Sequence, residues 1–416
     1  MGTLLNRFRE VVAKSKDPRM KSEGEFNVLY PTGFPCFDFI NGCKVHVDDK
    51  KNGKRYSYYS LGVTDGSCCM LIGRSGCGKT TFAIQMAANI VRPFPEAEIF
   101  HDDIEGGTTE SRKRVLTKFN DEDLQNRYRY RNTGITAENF YETLKTIKDI
   151  KLENYDEYSY DTGLLDPMGN KVTALIPTVY ILDSIALLMP EKYTDEEELS
   201  GQMSATAAAR TNSSVFKRII PMLKAANIIL VMINHINDVV NINPMQMKKA
   251  SLSYLKPDES LVGGKVITYL TNLLLRFDDN SKLKPEEGLH IDGSLVDIQI
   301  VKSRSGKAGS VCTLVFDKAN GFDSDLSLYI LLKNAKMING AGAYLYIGDR
   351  KDKSFRQSEL KNKLATDPEF AEIFINTAIE ILKTKVNDTP DFLNNSENTK
   401  SISDTISSTL GVMVEE

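Results

Sequence analysis

The run Gly73-Arg74-Ser75-Gly76-Cys77-Gly78-Lys79-Thr80 constrains this chain more than any other feature. It meets the pattern G-x-x-x-x-G-K-[ST] at every fixed position. Glycine is about 7% of average residues, so a chain this long shows the pattern by chance about once in a hundred. Its surroundings strengthen it: an apolar run, Cys68 to Ile72, precedes it, and a helical pattern, Thr80 to Val91, follows. A strand, a glycine-rich turn and a helix in that order point backbone N–H groups inward and aim a helix N-terminus at the ligand. A polyphosphate suits that cradle. Lys79 is expected to reach the β and γ phosphates, the Thr80 hydroxyl to bind a magnesium ion, and Thr81 to line the nucleotide site. The expected cofactors are therefore ATP and Mg2+. An incidental glycine-rich turn is the competing reading, and the flanking strand and helix argue against it.

A strand that feeds a helix needs parallel neighbours. Glu98 to His101, Thr178 to Leu182 and Asn227 to Ile233 are further short apolar strands, and a helix from Ser204 to about Ile220 joins the last two. This alternation predicts an α/β fold with a parallel sheet covered on both faces. Leu273 to Phe277, Leu295 to Val301 and Val311 to Phe316 are strands with little helix between them, which predicts an antiparallel extension. Lys44 to Tyr59 and Lys151 to Lys171 interrupt the pattern as inserts, the second as a loop or hairpin. Residues 325–386 read as a small, mostly helical carboxy-terminal domain and 31–324 as the core. Residues 387–416 read as a disordered acidic tail. Within residues 1–30, Leu4, Leu5, Phe8, Val11 and Val12 form a helical apolar stripe, to be covered by the chain's own core or by a neighbouring subunit.

Composition bounds the partners. The 416 residues are 41% hydrophobic and 26% charged with a net charge of −4, so any nucleic-acid contact requires a local basic surface. The six cysteines, Cys36, Cys43, Cys68, Cys69, Cys77 and Cys312, include no C-x-x-C pair. That spacing predicts neither a disulfide frame nor a zinc site, and a reducing, cytoplasmic setting. No signal peptide and no membrane span are expected.

Thr178-Val179-Tyr180-Ile181-Leu182-Asp183 is an apolar strand that ends in an acid. A carboxylate there can orient a magnesium shell, with Ser184 next to it. Three acids follow the strand that ends near His101: Asp102, Asp103 and Glu105. Any of them can polarise an attacking water, and spacing alone does not choose among them.

The ordered set extends further. It runs Thr32-Gly33-Phe34-Pro35 with Asp38, the phosphate loop, Asp103-Ile104-Glu105-Gly106, Ile181-Leu182-Asp183-Ser184, Ile233-Asn234-His235, Gly263-Gly264 and Val301-Lys302-Ser303-Arg304. From about Leu4 to Lys385 the chain resembles the RecA family of homologous-recombination proteins, and within it the phage UvsX-like recombinases. The resemblance implies a RecA-type core with an amino-terminal oligomerisation helix. It implies that Glu105 activates water, that Asp183 serves the metal, and that Asn234 and His235 sense the γ-phosphate. Lys302 and Arg304 would reach across a subunit boundary to the neighbour's ATP, where a cation in trans makes hydrolysis depend on assembly. A solvated basic strand end is the plain reading of the same two residues.

The resemblance also implies two DNA-gripping loops. The first, about 190–204, holds Met203 and runs into a helix with Arg210 and Lys217. The second, about 236–261, carries Lys248, Lys249, Tyr254 and Lys256, and leads to Gly263 and Gly264. The implied activity is a DNA-dependent ATPase that forms a helical homo-oligomer on single-stranded DNA and exchanges strands with double-stranded DNA. A mediator and a single-strand-binding protein would assist it. The chain departs from the family in three places. Asp195, Glu196, Glu197 and Glu198 make the first loop acidic, His235 stands where bacterial members carry Gln, and Arg112 falls where an aromatic ring would stack on adenine. A RecA-fold hexameric helicase, an ATP-driven switch or an ATP-binding regulator are the rival readings.

Overall fold

A computed structural model describes residues 27–49, 53–167, 169–191, 202–238, 253–261, 265–282, 291–341, 344–388 and 414–415, with residues 202–212, 265–267, 281–282, 341, 387–388 and 414–415 described by backbone only. Ahead of the core lie a short helix α1 (Pro35–Asn41) and a hairpin, β1 (Cys43–Asp49) with β2 (Lys54–Ser60). The core then alternates β3 (Cys68–Gly73), α2 (Lys79–Val91), β4 (Ile99–Asp103), α3 (Glu110–Thr117), β5 (Tyr128–Arg131) and α4 (Ala137–Glu153). A second hairpin, β6 (Ser159–Leu165) with β7 (Lys171–Leu175), comes before β8 (Thr178–Asp183), α5 (Gln202–Ala225) and β9 (Ile228–Asp238). β10 (Glu259–Leu261), α6 (Lys265–Leu270), β11 (Leu273–Lys282), β12 (Gly293–Lys302), β13 (Val311–Asp317) and β14 (Gly321–Asp323) complete the core.

The main sheet runs in the order β14-β13-β12-β11-β3-β9-β8-β4-β5, with β10 paired to the far end of β9. From β5 to β11 every pairing is parallel, and from β11 to β14 every pairing is antiparallel. The expected α/β fold with an antiparallel extension is the one observed. Strand alternation explains the two faces. Cys69 and Leu71 of β3 point into a cluster with Phe82, Ile84 and Ala87 of α2, whereas Cys68, Met70 and Ile72 face Phe140 and Leu144 of α4 and Phe216 and Leu223 of α5. Both faces are dry, which is why the parallel strands read as unbroken apolar runs.

Several elements overrun their sequence bounds. β9 ends at Asp238 instead of Ile233, because Asn234 and His235 interrupt the apolar run but not the backbone ladder. Ile236 to Asp238 then pair antiparallel with Leu261 to Glu259. The expected 236–261 loop is therefore closed at its base by a short ladder, and residues 239–252 lie outside the described residues. α5 continues past Ile220 to Ala225 and contains Pro221. The first insert is a hairpin; the expected 151–171 insert begins instead with the end of α4 and a helical turn at Tyr155–Tyr158, and its hairpin runs on to Leu175. The two hairpins touch: Val45, Val47, Tyr56 and Tyr58 pack with Leu164 and Leu165.

The carboxy-terminal segment forms α7 (Ser324–Asn334), α8 (Leu360–Thr366) and α9 (Pro368–Lys383), with a small hairpin between α7 and α8. Leu326, Leu332, Phe370, Phe374 and Leu382 join the same apolar cluster as Phe34 and Phe37 of the α1 region and as the sheet. Asn387–Asp388 pairs with β1 and Val414–Glu415 with β2. The amino-terminal stripe Leu4 to Val12 and residues 389–413 of the tail lie outside the described residues. No helix among the described residues is long and apolar enough to cross a membrane.

Candidate nucleotide-binding site

Parallel pairing brings the carboxyl ends of four strands to one edge. Gly73 stands opposite His235, and Asp103 opposite Asp183. In open α/β sheets ligands bind in the crevice beyond these ends. The phosphate loop bridges from β3 to α2 there. Gly78 ends the loop with a φ of 87°, and a β-carbon on it would meet Phe322 Cζ at 2.8 Å. Gly76, at a φ of 81°, has nothing within 4 Å of the position a β-carbon would take, so that side of the loop is open to a ligand. Ser75 is exposed beside it.

Lys79 is 4% exposed, and its ammonium donates to the carbonyls of Gly73 at 2.9 Å and Arg74 at 2.7 Å. Burial lowers its pKa. The Cys77 thiol also donates to the Arg74 carbonyl, at 2.9 Å. The Thr80 hydroxyl donates to Asp183 Oδ2 at 2.6 Å. Asp183 Oδ1 is buried and has no hydrogen-bond partner among the described residues, and the same holds for Ser184 Oγ. Burial, with Glu105 and Asp103 nearby, pushes the Asp183 carboxyl up to about 6. An orphaned carboxylate oxygen in a buried position is costly unless a cation supplies the missing partner. The donor set, a hydroxyl and a carboxylate, consists of the hard oxygens that magnesium prefers. Thr80 and Asp183 therefore fit a magnesium ion.

The structure separates the three acids that spacing left equivalent. Asp102 is clamped by Arg131, at 2.8 and 2.6 Å, and accepts from the Tyr180 hydroxyl at 2.5 Å. Asp103 accepts from the backbone N–H of Gly106 at 2.8 Å, from that of Thr108 at 2.9 Å and from the Tyr130 hydroxyl at 2.9 Å. Burial alone would raise its pKa, but the bonds from Thr108 and Tyr130 outweigh burial and hold it below the usual range. Both carboxylates are fully engaged in structure. Glu105 sits on the loop that Asp103 ties down, and its Oε1 lies 2.8 Å from His235 Nε2. Glu105, Asp183 and His235 bring one ligand atom each within 4.8 Å of one another. Asn234, 1% exposed, accepts from the His235 backbone N–H at 2.8 Å and so braces the strand end.

Other expected site residues are placed as follows. Arg112 does not hang free: its guanidinium donates to the carbonyls of Lys318 and Ala319 at 2.9 and 2.6 Å and to Thr81 Oγ1 at 3.2 Å. It is fixed at the edge of α2. Lys302 is remote from its own phosphate loop. It pairs with Leu274, which pairs with Met70 three residues before Gly73, about 10 Å along the strands and about 10 Å across them. Its ammonium donates to the Tyr269 carbonyl at 2.8 Å, and Arg304 is exposed beyond it. Lys217 is exposed on α5. Tyr254, expected at the DNA, is placed as follows. Its ring is partly buried against the second core cluster, and its carbonyl accepts from Arg276 at 2.7 Å. That placement follows from the buried Arg276–Glu259 pair, 2.8 Å apart, which pulls residues 254–259 onto the sheet. The side chains of Met203 and Arg210, and all of Lys248, Lys249, Gly263 and Gly264, lie outside the described residues.

Two features escaped the sequence reading. Arg74 pairs with Asp238 at 2.6 Å, joining the phosphate loop to the last residue of β9. Tyr269, 67% exposed, stands on α6 beside Lys302. Neither carries a local pattern, because each depends on strands brought together from distant parts of the chain.

Residues 48–215 match the sequence profile of a family described as the AAA domain. Among curated proteins none matches the chain. The matched span contains the phosphate loop, Glu105 and Asp183. Together with the geometry it makes this chain a P-loop ATPase, with a nucleotide site built for a phosphate chain and its divalent ion.

Proposed function

We propose that this P-loop ATPase is a DNA-dependent recombinase of the RecA type, most like the phage UvsX-like proteins. It would assemble as a helical filament on single-stranded DNA and exchange strands with a homologous duplex. The observation that carries this reading is the position of Lys302 and Arg304. Lys302 lies two strands away from β3 and three residues back from its own phosphate loop, and Arg304 is exposed beyond it, which supports a role at a neighbouring subunit's nucleotide rather than at their own. The exposed Tyr269 beside them offers that neighbour an apolar contact.

In this reading each residue of the site has a role. Lys79 exchanges its loop carbonyls for the β and γ phosphates. Thr80 and Asp183 would hold magnesium, which would neutralise charge on the phosphate oxygens. Glu105 orients a water toward the γ-phosphate and takes its proton. His235, in contact with Glu105 and just ahead of the 239–252 segment, reports the γ-phosphate to the DNA-facing loop through Asp238 and its partner Arg74. The neighbour's Lys302 and Arg304 complete the charge around the reacting phosphate, and the acidic tail competes with DNA for basic surfaces.

Negative-stain imaging with a non-hydrolysable ATP analogue, with and without single-stranded DNA, tests the proposal. DNA-dependent helical filaments support it. Closed rings point instead to a hexameric helicase or switch, and isolated particles to a regulator.

A further inference from the structure

We propose that Glu105, Asp183 and His235 form a binding site for a late first-row divalent metal, of the Zn2+ or Co2+ class, in the nucleotide-free protein. Three observations lead there. The ligand atoms of these residues lie within 4.8 Å of one another, and the closest pair, His235 Nε2 and Glu105 Oε1, is 2.8 Å apart. A tetrahedral zinc with bonds of about 2.0–2.1 Å sets its donors about 3.4 Å apart, and the separations in this set, none above 4.8 Å, are near that requirement. Asp183 is 3% exposed, its Oδ1 is buried without a hydrogen-bond partner among the described residues, and one of its carboxylate oxygens lies within 4.8 Å of the other two ligand atoms. Finally, the donors are one imidazole nitrogen and two carboxylates. Magnesium takes oxygen and keeps its waters, whereas zinc and cobalt accept imidazole readily. The imidazole thus gives this crevice a selectivity that the Thr80–Asp183 pair lacks.

Coordination uses the Nε2 lone pair and leaves the ring proton on Nδ1. Coordination through Asp183 Oδ1 can leave the Thr80 bond to Oδ2 in place, but it commits the Asp183 and Glu105 carboxylates to one ion, so neither remains available to a magnesium ion or to a water. The metal and the magnesium-nucleotide complex therefore exclude each other, a consequence that rests on the role proposed for Asp183. The binding site itself rests only on the geometry.

The test uses nucleotide-free full-length protein and Co2+ as the probe. One equivalent should give visible d–d bands without the intense near-ultraviolet band of a cobalt thiolate. Zn2+ should displace it. His235→Ala and Glu105→Gln should each weaken Co2+ binding about tenfold or more, with His235→Gln as a second variant and circular dichroism confirming that each is folded. Mg-ADP should bleach the bands. A thiolate band, or equal binding by His235→Ala and His235→Gln, overturns the site. Bands that persist at saturating Mg-ADP overturn the exclusion. Filament formation enters none of these readouts, so failure here and failure of the recombinase reading are separable.

Discussion

Replacing Asp183 with asparagine tests the electrostatics of the site before any phosphate enters it. Burial and two neighbouring carboxylates raise the Asp183 carboxyl from an ordinary 3.8 to about 6. About two units at 1.36 kcal/mol each put the cost of its charge near 3 kcal/mol in the nucleotide-free protein. The sign follows from linkage: a carboxyl raised on folding contributes stability that is complete below pH 3.8 and lost as pH rises through about 6. The asparagine side chain carries no charge at any pH, and its amide oxygen can still accept from Thr80. Asp183→Asn should therefore stabilise the nucleotide-free protein at pH 8 and have little effect near pH 4. With an unfolding entropy of about 2.1 cal/mol/K per residue, 3 kcal/mol corresponds to a rise in Tm of about 3 °C for this chain. Differential scanning fluorimetry of both proteins in EDTA, from pH 4 to 8, measures the difference while other titrating groups cancel. Mg-ATP should reverse the order, because only the wild type offers the ion a carboxylate. A Tm difference that is constant with pH, or a destabilised variant at pH 8, refutes the argument that Asp183 is held charged at a cost.

Three further outcomes follow from the same geometry. Lys79→Ala should lose nucleotide binding and hydrolysis together, while Glu105→Gln should bind ATP and lose turnover about 10²-fold or more, read by fluorescent-nucleotide titration beside phosphate release; normal turnover by Glu105→Gln removes it as the base. Asp103→Asn sets an amide donor against the N–H groups of Gly106 and Thr108, so it should cost about 2–4 kcal/mol in chemical denaturation. It should also lower kcat through Glu105 while leaving KM nearly unchanged, and an unchanged kcat would show that the loop is positioned by other contacts. Lys302→Ala with Arg304→Ala should lose DNA-stimulated hydrolysis about 10³-fold yet bind ATP. Mixed into one filament with Lys79→Ala, it should regain some hydrolysis at the mixed interfaces, and silence in a demonstrably mixed filament returns both residues to a solvated strand end.

The phosphate loop, the parallel strands and the acid at the end of β8 were legible in the sequence because each is a local signal. Backbone N–H groups can wrap phosphate only with glycine at fixed offsets, and a strand buried on both faces must be apolar throughout. Gly76, Gly78, Lys79, Thr80 and Asp183 could therefore be placed before any coordinates. What was not legible is contact between strands distant in sequence. Asp102, Asp103 and Glu105 are neighbours of one chemical type, and only their partners distinguish them: Arg131 and Tyr180 take the first, and Thr108 and Tyr130 the second. Glu105 alone of the three meets His235, reaching past the end of β8 to β9. The same holds for Tyr254, which the resemblance puts in the second DNA-gripping loop and whose carbonyl accepts from Arg276, 22 residues away, with its ring partly buried against the core. Local patterns fix which backbone forms and what a loop can hold. Which carboxylate stays free to act is decided by tertiary packing, because a carboxylate already saturated with hydrogen bonds has nothing left to offer a water.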